Sequence, residues 1–93
     1  MQKDIEDTEL FRNNLQNRIL RELHKEWLRV VGENRIPEFD YDESGKQWNV
    51  PKRIMMRVIE ETIDEGWLKN STFGHVELTL EGRKECKRRR LDQ

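Results

Sequence analysis

The chain has 93 residues, of which 40% are charged and 33% are apolar, and it contains one cysteine. This length and composition predict one domain with a modest core, and they exclude an intrachain disulfide because Cys86 has no partner. The net charge of −1 disfavours strong, indiscriminate binding to nucleic acid, and no apolar run reaches the roughly 18 residues that cross a bilayer, so we expect a cytoplasmic protein without membrane contact.

The first predicted element is an amphipathic helix over residues 8–31. Its apolar residues recur at every fourth position, and Gly32 follows as a C-terminal stop. His24 lies beside this stripe, where we expect a boundary residue rather than a metal ligand or a base. The stripe consists of Phe11, Leu15, Ile19, Leu23 and Trp27, widened by Leu20, Leu28 and Val31.

An extended connector follows the first helix, because Pro37 disfavours helix at the residue before it. We expect Phe39 and Tyr41 to anchor this connector to the core. Residues 41–66 then predict a short helix, a sharp turn and a longer helix. The spacing of the residues in this segment is typical of a helix-turn-helix. It has one small residue, an apolar–turn–apolar triplet and two further apolar residues: Gly45, Trp48, Asn49, Val50, Met55 and Val58.

The region before the longer helix allows a second interpretation, a β-hairpin over residues 39–50 that turns at residues 43–45. The longer helix itself begins near Pro51, which is tolerated in a first turn because its missing N–H would be unpaired there. We expect Asn49 to cap this helix and Gly66 to end it. Its predicted buried side consists of Val50, Ile54, Met55, Val58, Ile59, Thr62 and Ile63.

Residues 67–79 predict a small β-hairpin with a tip at Phe73–Gly74. The second strand of this hairpin alternates with a period of two: Val76, Leu78 and Leu80. A closing helix is predicted over residues 80–91, with Thr79 as its N-cap. Its basic end complements the negative end of the helix dipole.

This order of elements and the local sequence resemble the winged helix-turn-helix superfamily. The segment NVPKRIMMRVIEETIDEGWL is similar to a recognition helix that leads into the wing, and VELTLEGRKEC is similar to a second wing strand that leads into the closing helix. The resemblance covers roughly residues 15–90. Ser44 and Gly45 depart from the aliphatic residue and alanine usual in the first motif helix, which we therefore expect to be short, distorted or partly loop. Asn49 replaces the common turn glycine, a mild change because Asn accepts the left-handed conformation.

The resemblance implies an α+β fold over residues 1–93, a winged helix-turn-helix with three to four helices and a small two-stranded antiparallel wing. It also implies binding to duplex DNA, as a transcriptional regulator or a DNA-processing accessory factor, with the helix over residues 50–66 as the recognition helix. The residues that would then contact DNA are Lys52, Arg53, Met56, Arg57, Lys69, Asn70, His75, Lys87, Arg88 and Arg89.

Charge is segregated along the proposed recognition helix. Residues 49–58 carry three cations and no acid, whereas residues 59–66 carry four acids. Because these acids would repel phosphate along a groove, only an end-on approach by the first two turns suits a duplex. As an alternative, the basic side chains only solvate the helix, and Arg57 pairs with Glu60 or Glu61 one turn on.

A protein-interaction module without DNA binding is the alternative function. The chain has many large aromatic side chains for a small core, and Met56 lies among charges on the wet side of its helix. The early part of the first helix, with Leu10 and Phe11, could extend beyond the domain and pair with another copy.

We expect no enzymatic function and no cofactor. The sequence has no glycine-rich phosphate loop, no nucleophile with an adjacent base and no paired carboxylates in an apolar setting. His24, His75 and Cys86 are too scattered for a zinc signature, and residues 40–43 resemble only a fragment of a calcium loop, so we expect no metal.

Overall fold

The structure, a computed structural model, describes residues 7–30 and 32–91. In these residues four helices pack with a three-stranded antiparallel sheet, so the predicted α+β class is confirmed. The elements follow each other as α1 (Glu9–Arg29), β1 (Phe39–Asp40), α2 (Tyr41–Gln47), α3 (Lys52–Asp64), β2 (Leu68–Asn70), β3 (His75–Leu78) and α4 (Leu80–Arg88).

The start of α1 is set by a side-chain cap. The hydroxyl of Thr8 accepts a hydrogen bond from the amide of Phe11 at 3.1 Å, which satisfies one of the free N–H groups of the first turn. The helix was predicted over residues 8–31, and Val31 lies outside the described residues. Leu15, Ile19, Leu20 and Leu23 of the predicted stripe face the core, but Leu28, which was expected to widen the stripe, is 51% exposed.

His24 departs from its expected boundary position, because it is only 1% exposed. The side of α1 next to the apolar stripe is covered by α4. On that side the thiol of Cys86 donates to the carbonyl oxygen of Leu20 at 3.6 Å, one turn before His24. The closing helix therefore widens the buried side of α1 beyond the stripe that the sequence shows.

The sheet has the strand order β1–β3–β2, with both pairs antiparallel. Leu68 pairs with Leu78 in the hairpin, and Phe39 pairs with Val76 at the other edge of β3. The prediction of a two-stranded wing therefore misses one strand. A strand of two residues is too short to show the alternation by which a strand is recognised in sequence.

α2 is a helix of seven residues, as short as its composition predicts. The carboxylate of Asp40 caps it by accepting a hydrogen bond from the amide of Glu43 at 2.9 Å. The alternative interpretation of residues 39–50 as a β-hairpin is therefore wrong. The hairpin was expected to turn at residues 43–45, but the cap and the first helical turn at residues 40–43 place that segment in a helix.

The turn between α2 and α3 depends on Asn49, which has a φ of 56°. This left-handed conformation confirms the expected turn role of Asn49. The amide of Val50 donates to the carbonyl oxygen of Gly45 at 2.8 Å and closes the turn. The prediction that Asn49 caps α3 is wrong, because Pro51 occupies the N-cap position and no side chain caps the helix.

The predicted end of α3 at Gly66 and the predicted cap of α4 agree with the structure, whereas α4 ends at Arg88 and not at residue 91. Gly66 follows α3 with a φ of 85°, and its amide donates to the carbonyl oxygen of Ile63 at 2.9 Å. The hydroxyl of Thr79 accepts a hydrogen bond from the amide of Gly82 at 2.9 Å and caps α4. These ends were predictable because each depends on residues within one helical turn.

The core lies where α1, α3 and the sheet meet. A polar contact at its edge joins the two helices: the Thr62 hydroxyl donates to the Val58 carbonyl oxygen at 2.6 Å and accepts from the Gln16 amide at 2.9 Å. The hydrogen bonds satisfy these buried polar groups. The largest buried side chains include Ile19, Leu20, Leu23, Ile54, Met55, Ile59 and Leu68.

Gly45 lies in α2 where a small residue is expected at the helix crossing. A Cβ atom there would lie 3.6 Å from the Val50 carbonyl oxygen and 3.8 Å from Met55 Cε, which are ordinary van der Waals distances. Since alanine loses less backbone entropy than glycine on folding, Gly45→Ala should raise the free energy of unfolding by about 0.5–1 kcal/mol. Urea denaturation measures this change. A lower midpoint would show that the crossing excludes even one methyl group.

Candidate nucleic-acid interface

The first turn of α3 carries two exposed cations, Lys52 and Arg53. No ion pair joins either side chain to another described residue. The N-cap residue, Pro51, makes no side-chain hydrogen bond to the helix. Because the Lys52 and Arg53 amides have no acceptor within the helix and the positive end of its dipole lies there, this turn is suited to an anion.

Arg57, one turn further, is paired with acids. Its guanidinium lies 2.8 Å from an Asp7 carboxylate oxygen and 3.1 Å from a Glu61 carboxylate oxygen. The hydrogen bond to Glu61, and then that to Asp7, raise the pKa of Arg57 above its ordinary value. The expected pairing of Arg57 with Glu61 is confirmed. Arg57 therefore contributes less positive charge to the surface than Lys52 and Arg53 do.

The remainder of α3 and the residues just after it are acidic on the exposed side. Met56 is half-buried, so it is not a fully exposed thioether among the charges. The exposed acids are Glu60, Glu61, Asp64 and Glu65. The cationic surface of α3 is thus restricted to its first turn, and the helix as a whole has no basic face.

The hairpin candidates lie beside acids as well. The ammonium group of Lys69 is 3.1 Å from a Glu77 carboxylate oxygen on the neighbouring strand. Nε2 of His75 is 3.6 Å from an Asp40 carboxylate oxygen. Asn70 is exposed at the end of β2. These contacts reduce the positive charge that the hairpin can offer to phosphate.

The hairpin tip is apolar and has an acidic rim. Phe73 is 100% exposed there. Glu38 accepts a hydrogen bond from the Thr72 hydroxyl at 3.4 Å. The carboxylate of Asp42 lies close to Gly74, since one of its oxygens would be 3.7 Å from a Cβ atom added to that glycine. A phosphate backbone would be repelled by this rim.

The basic end of α4 is partly tied to its own carboxylate. Lys87 is exposed, and no ion pair joins it to another described residue. Arg88 and Arg89 both donate to Glu85, at 2.8 Å and 2.6 Å. The hydrogen bond from Arg88, and then that from Arg89, lower the pKa of Glu85 to about 2 although burial raises it. Glu85 therefore stays ionised and offsets part of this basic run.

Arg89 is a packing residue more than a surface cation. Its guanidinium donates to Gln16 at 2.9 Å and to Asn17 at 2.8 Å on α1. It also lies over the ring of Trp67, as part of a set of three arginine–tryptophan stacks. The distances from guanidinium carbon to ring centroid are 3.9 Å for Arg18 on Trp48, 4.5 Å for Arg83 on Trp27 and 4.6 Å for Arg89 on Trp67.

These stacks explain why a small core has three tryptophans, since each ring lies at the core edge beneath a guanidinium. No sequence signal could have found them, because the partners in each pair are at least 22 residues apart. The ten candidate residues also do not belong to one element. Lys52, Arg53, Met56 and Arg57 lie on α3, Lys69, Asn70 and His75 on the hairpin, and Lys87, Arg88 and Arg89 at the end of α4 beside α1.

The described residues hold no group of three His, Cys, Asp or Glu side chains that could bind a metal ion. Among the helices of that part of the chain, none is long and apolar enough to cross a membrane. No protein-family model, curated protein or solved structure matches the chain.

Proposed function

We propose that the chain is a winged helix-turn-helix domain that binds duplex DNA through the first turn of α3. The order of helix, connector, short helix, longer helix, hairpin and closing helix supports this proposal. The left-handed Asn49 at the turn between α2 and α3 supports it as well. The protein would then be a small transcriptional regulator or a DNA-processing accessory factor, without a catalytic role.

The observation that carries the proposal is the pair of exposed cations at the uncapped start of α3, neither of which has an ion pair with another described residue. Arg53 can donate two hydrogen bonds to O6 and N7 of guanine, and Lys52 can bind a backbone phosphate. The acids in the second half of α3 disfavour a lengthwise position in the groove. We therefore expect the duplex to meet this helix end-on, with few phosphate contacts.

Removing both cations in the variant Lys52→Ala/Arg53→Ala should weaken duplex binding by about tenfold or more, because each contact contributes about 1 kcal/mol. The slope of log affinity against log salt should become less steep by about one, because of the two side chains only Lys52 is assigned to a phosphate. Fluorescence anisotropy of a labelled duplex at several salt concentrations measures both quantities.

The matched control is Arg21→Ala/Lys25→Ala, which removes the same charge from exposed positions of α1. It should change the affinity by less than about threefold, because screened charges away from the contact act weakly. Equal losses in the two variants would indicate a general charge effect and contradict the proposed site. The unmodified protein failing to bind at low salt would contradict the function itself.

A protein-interaction module is the second candidate function, and the hairpin tip favours it. A fully exposed Phe73 with an acidic rim suits a protein partner or a second copy better than phosphate. In sedimentation velocity, self-association through the tip would raise the sedimentation coefficient with concentration, and Phe73→Ser would abolish this rise. Such a result, together with no duplex binding at low salt, would favour this function over DNA binding.

A further inference from the structure

The outward side of α1 has a pattern of its own. Leu10, Arg21 and Leu28 follow each other at intervals of eleven and seven residues, which are close to three and two helical turns. Lys25 lies one turn after Arg21. These four side chains are exposed. They therefore line one side of α1, away from the apolar stripe that faces the core.

α4 extends this exposed side. It runs antiparallel to α1, and Leu80 and Lys87 are seven residues apart on its exposed side. Because α1 and α4 both turn their apolar sides to the common core, their exposed sides adjoin. The contacts that set the register are Arg83 over Trp27, Cys86 with Leu20 and Arg89 with Asn17. This register brings Leu80 to the end of α1 that carries Leu28.

We name this surface the α1–α4 face and define it by Leu10, Arg21, Lys25, Leu28, Leu80 and Lys87. Its three leucines are 70%, 51% and 64% exposed, and they are three of the five large apolar side chains that are exposed in the described residues. Leu28 and Leu80 lie at one end of the face and Leu10 lies at the other, so the face offers apolar contact area at both ends.

Three cations define the charge of the α1–α4 face, and the exposed side of α4 also carries an ion pair of Lys84 with Glu81. No ion pair joins Arg21, Lys25 or Lys87 to another described residue. Of the three acids of α1, Glu22 and Glu26 lie on the α2 side, where they border a hollow together with Trp48 and Phe39. The face therefore combines apolar contact area with three cations that no ion pair with a described residue neutralises.

We propose that the α1–α4 face is the docking surface for an acidic amphipathic helix of a partner protein. Leucines on the partner would cover Leu28 and Leu80, and its carboxylates would pair with Arg21, Lys25 and Lys87. The distance from Leu10 to Leu28 along α1 is about 27 Å, which a helix of about 18 residues spans. This surface is separate from the first turn of α3 and does not depend on DNA binding.

Other occupants fit the α1–α4 face less well. A two-fold contact with a second copy would place the same unpaired cations opposite each other, which costs free energy. A DNA duplex would satisfy the cations but leave the three leucines beside charged phosphate. An acidic helix with an apolar side satisfies both features at once.

The probe for this proposal is a labelled synthetic helix of about 20 residues, with leucines at heptad spacing and glutamates at the other exposed positions. We expect measurable binding in fluorescence anisotropy. Two variants, Arg21→Glu/Lys87→Glu and Leu28→Ser/Leu80→Ser, should each weaken it by about tenfold. The control variant Lys52→Glu/Arg53→Glu should bind the probe as the unmodified protein does. Circular dichroism and urea midpoints verify that all three variants are folded.

Three results would overturn the proposal. A scrambled peptide of the same composition has its leucines spread around the helix and so lacks an apolar side, and equal binding of that peptide would show charge attraction alone. Unchanged probe binding in both α1–α4 variants would place the site elsewhere. If the probe does not bind but the protein binds phosphatidylserine vesicles, and the leucine variant abolishes that binding, the face belongs to a membrane. If the probe does not bind but the protein self-associates, and the leucine variant abolishes the self-association, the face belongs to a second copy. The variant Lys52→Glu/Arg53→Glu changes the proposed DNA contacts and leaves the α1–α4 face intact. A failure of DNA binding is therefore distinguishable from a failure of the docking surface.

Discussion

Replacing Gly82 by alanine should lower the free energy of unfolding by about 2–3 kcal/mol, because α4 begins in direct contact with the chain before β2. A Cβ atom at Gly82 would lie 2.0 Å from the carbonyl oxygen of Trp67 and 2.9 Å from its carbonyl carbon. Both atoms belong to the backbone, so neither can rotate away. The same carbonyl oxygen accepts a hydrogen bond from the amide of Thr79 at 3.1 Å, and moving it would weaken that bond too.

Thermal or urea denaturation measures the effect of Gly82→Ala, and Gly45→Ala is its matched control. Both replace a helical glycine by alanine, but Gly45 has room for a methyl group and Gly82 has none. For a domain of this size the loss should lower the melting temperature by roughly 10–20 °C. If Gly82→Ala were as stable as Gly45→Ala, the close packing of α4 against Trp67 would be contradicted.

Glu85→Gln should lower the free energy of unfolding by about 2 kcal/mol at neutral pH, because it removes the charge that Arg88 and Arg89 bind. The lowered pKa of Glu85 means that its ionised form stabilises the fold, but by less than the full shift implies, because Arg88 is exposed and solvent screens its charge. Glutamine keeps one acceptor, so we expect a smaller loss. The control is Glu81→Gln on the same helix, whose carboxylate is exposed and pairs with Lys84. It should have almost no effect.

The stability that Glu85 contributes should depend on pH. The folded pKa of Glu85 lies below the unfolded one, so its contribution is complete above about pH 4.5 and is lost as the pH falls towards about 2. The difference between the unmodified protein and Glu85→Gln should therefore shrink over this range. Urea midpoints at several pH values measure it. A difference that stays constant down to pH 2 would contradict the proposed charge interaction.

The candidate site was predictable in part. Positions on the wet side of α3 follow from its helical period, and that period places Lys52 and Arg53 in solvent. The pairing of Arg57 with Glu61 follows from the same period, since the two are one turn apart. Its second partner, Asp7, is 50 residues away and no local pattern indicates it.

The basic run at the end of α4 likewise has contacts that the sequence does not indicate. Its composition indicates a solvated cationic surface that could bind phosphate. In the structure Arg89 is bound to Gln16 and Asn17 of α1, more than 70 residues earlier. Only packing of α4 against α1 brings these groups together, so charge counting along the chain overestimates the free charge of this segment.

The sequence by itself determined the approximate extent of α1 and α3, the cap at Thr79 and the left-handed turn at Asn49. These features depend on residues within about one helical turn of each other. Only the tertiary structure decided that β1 joins the sheet, that His24 is buried and that Gly82 has no room for a methyl group. Each of these depends on contacts between segments far apart in the chain, and their energies arise only when the core has formed.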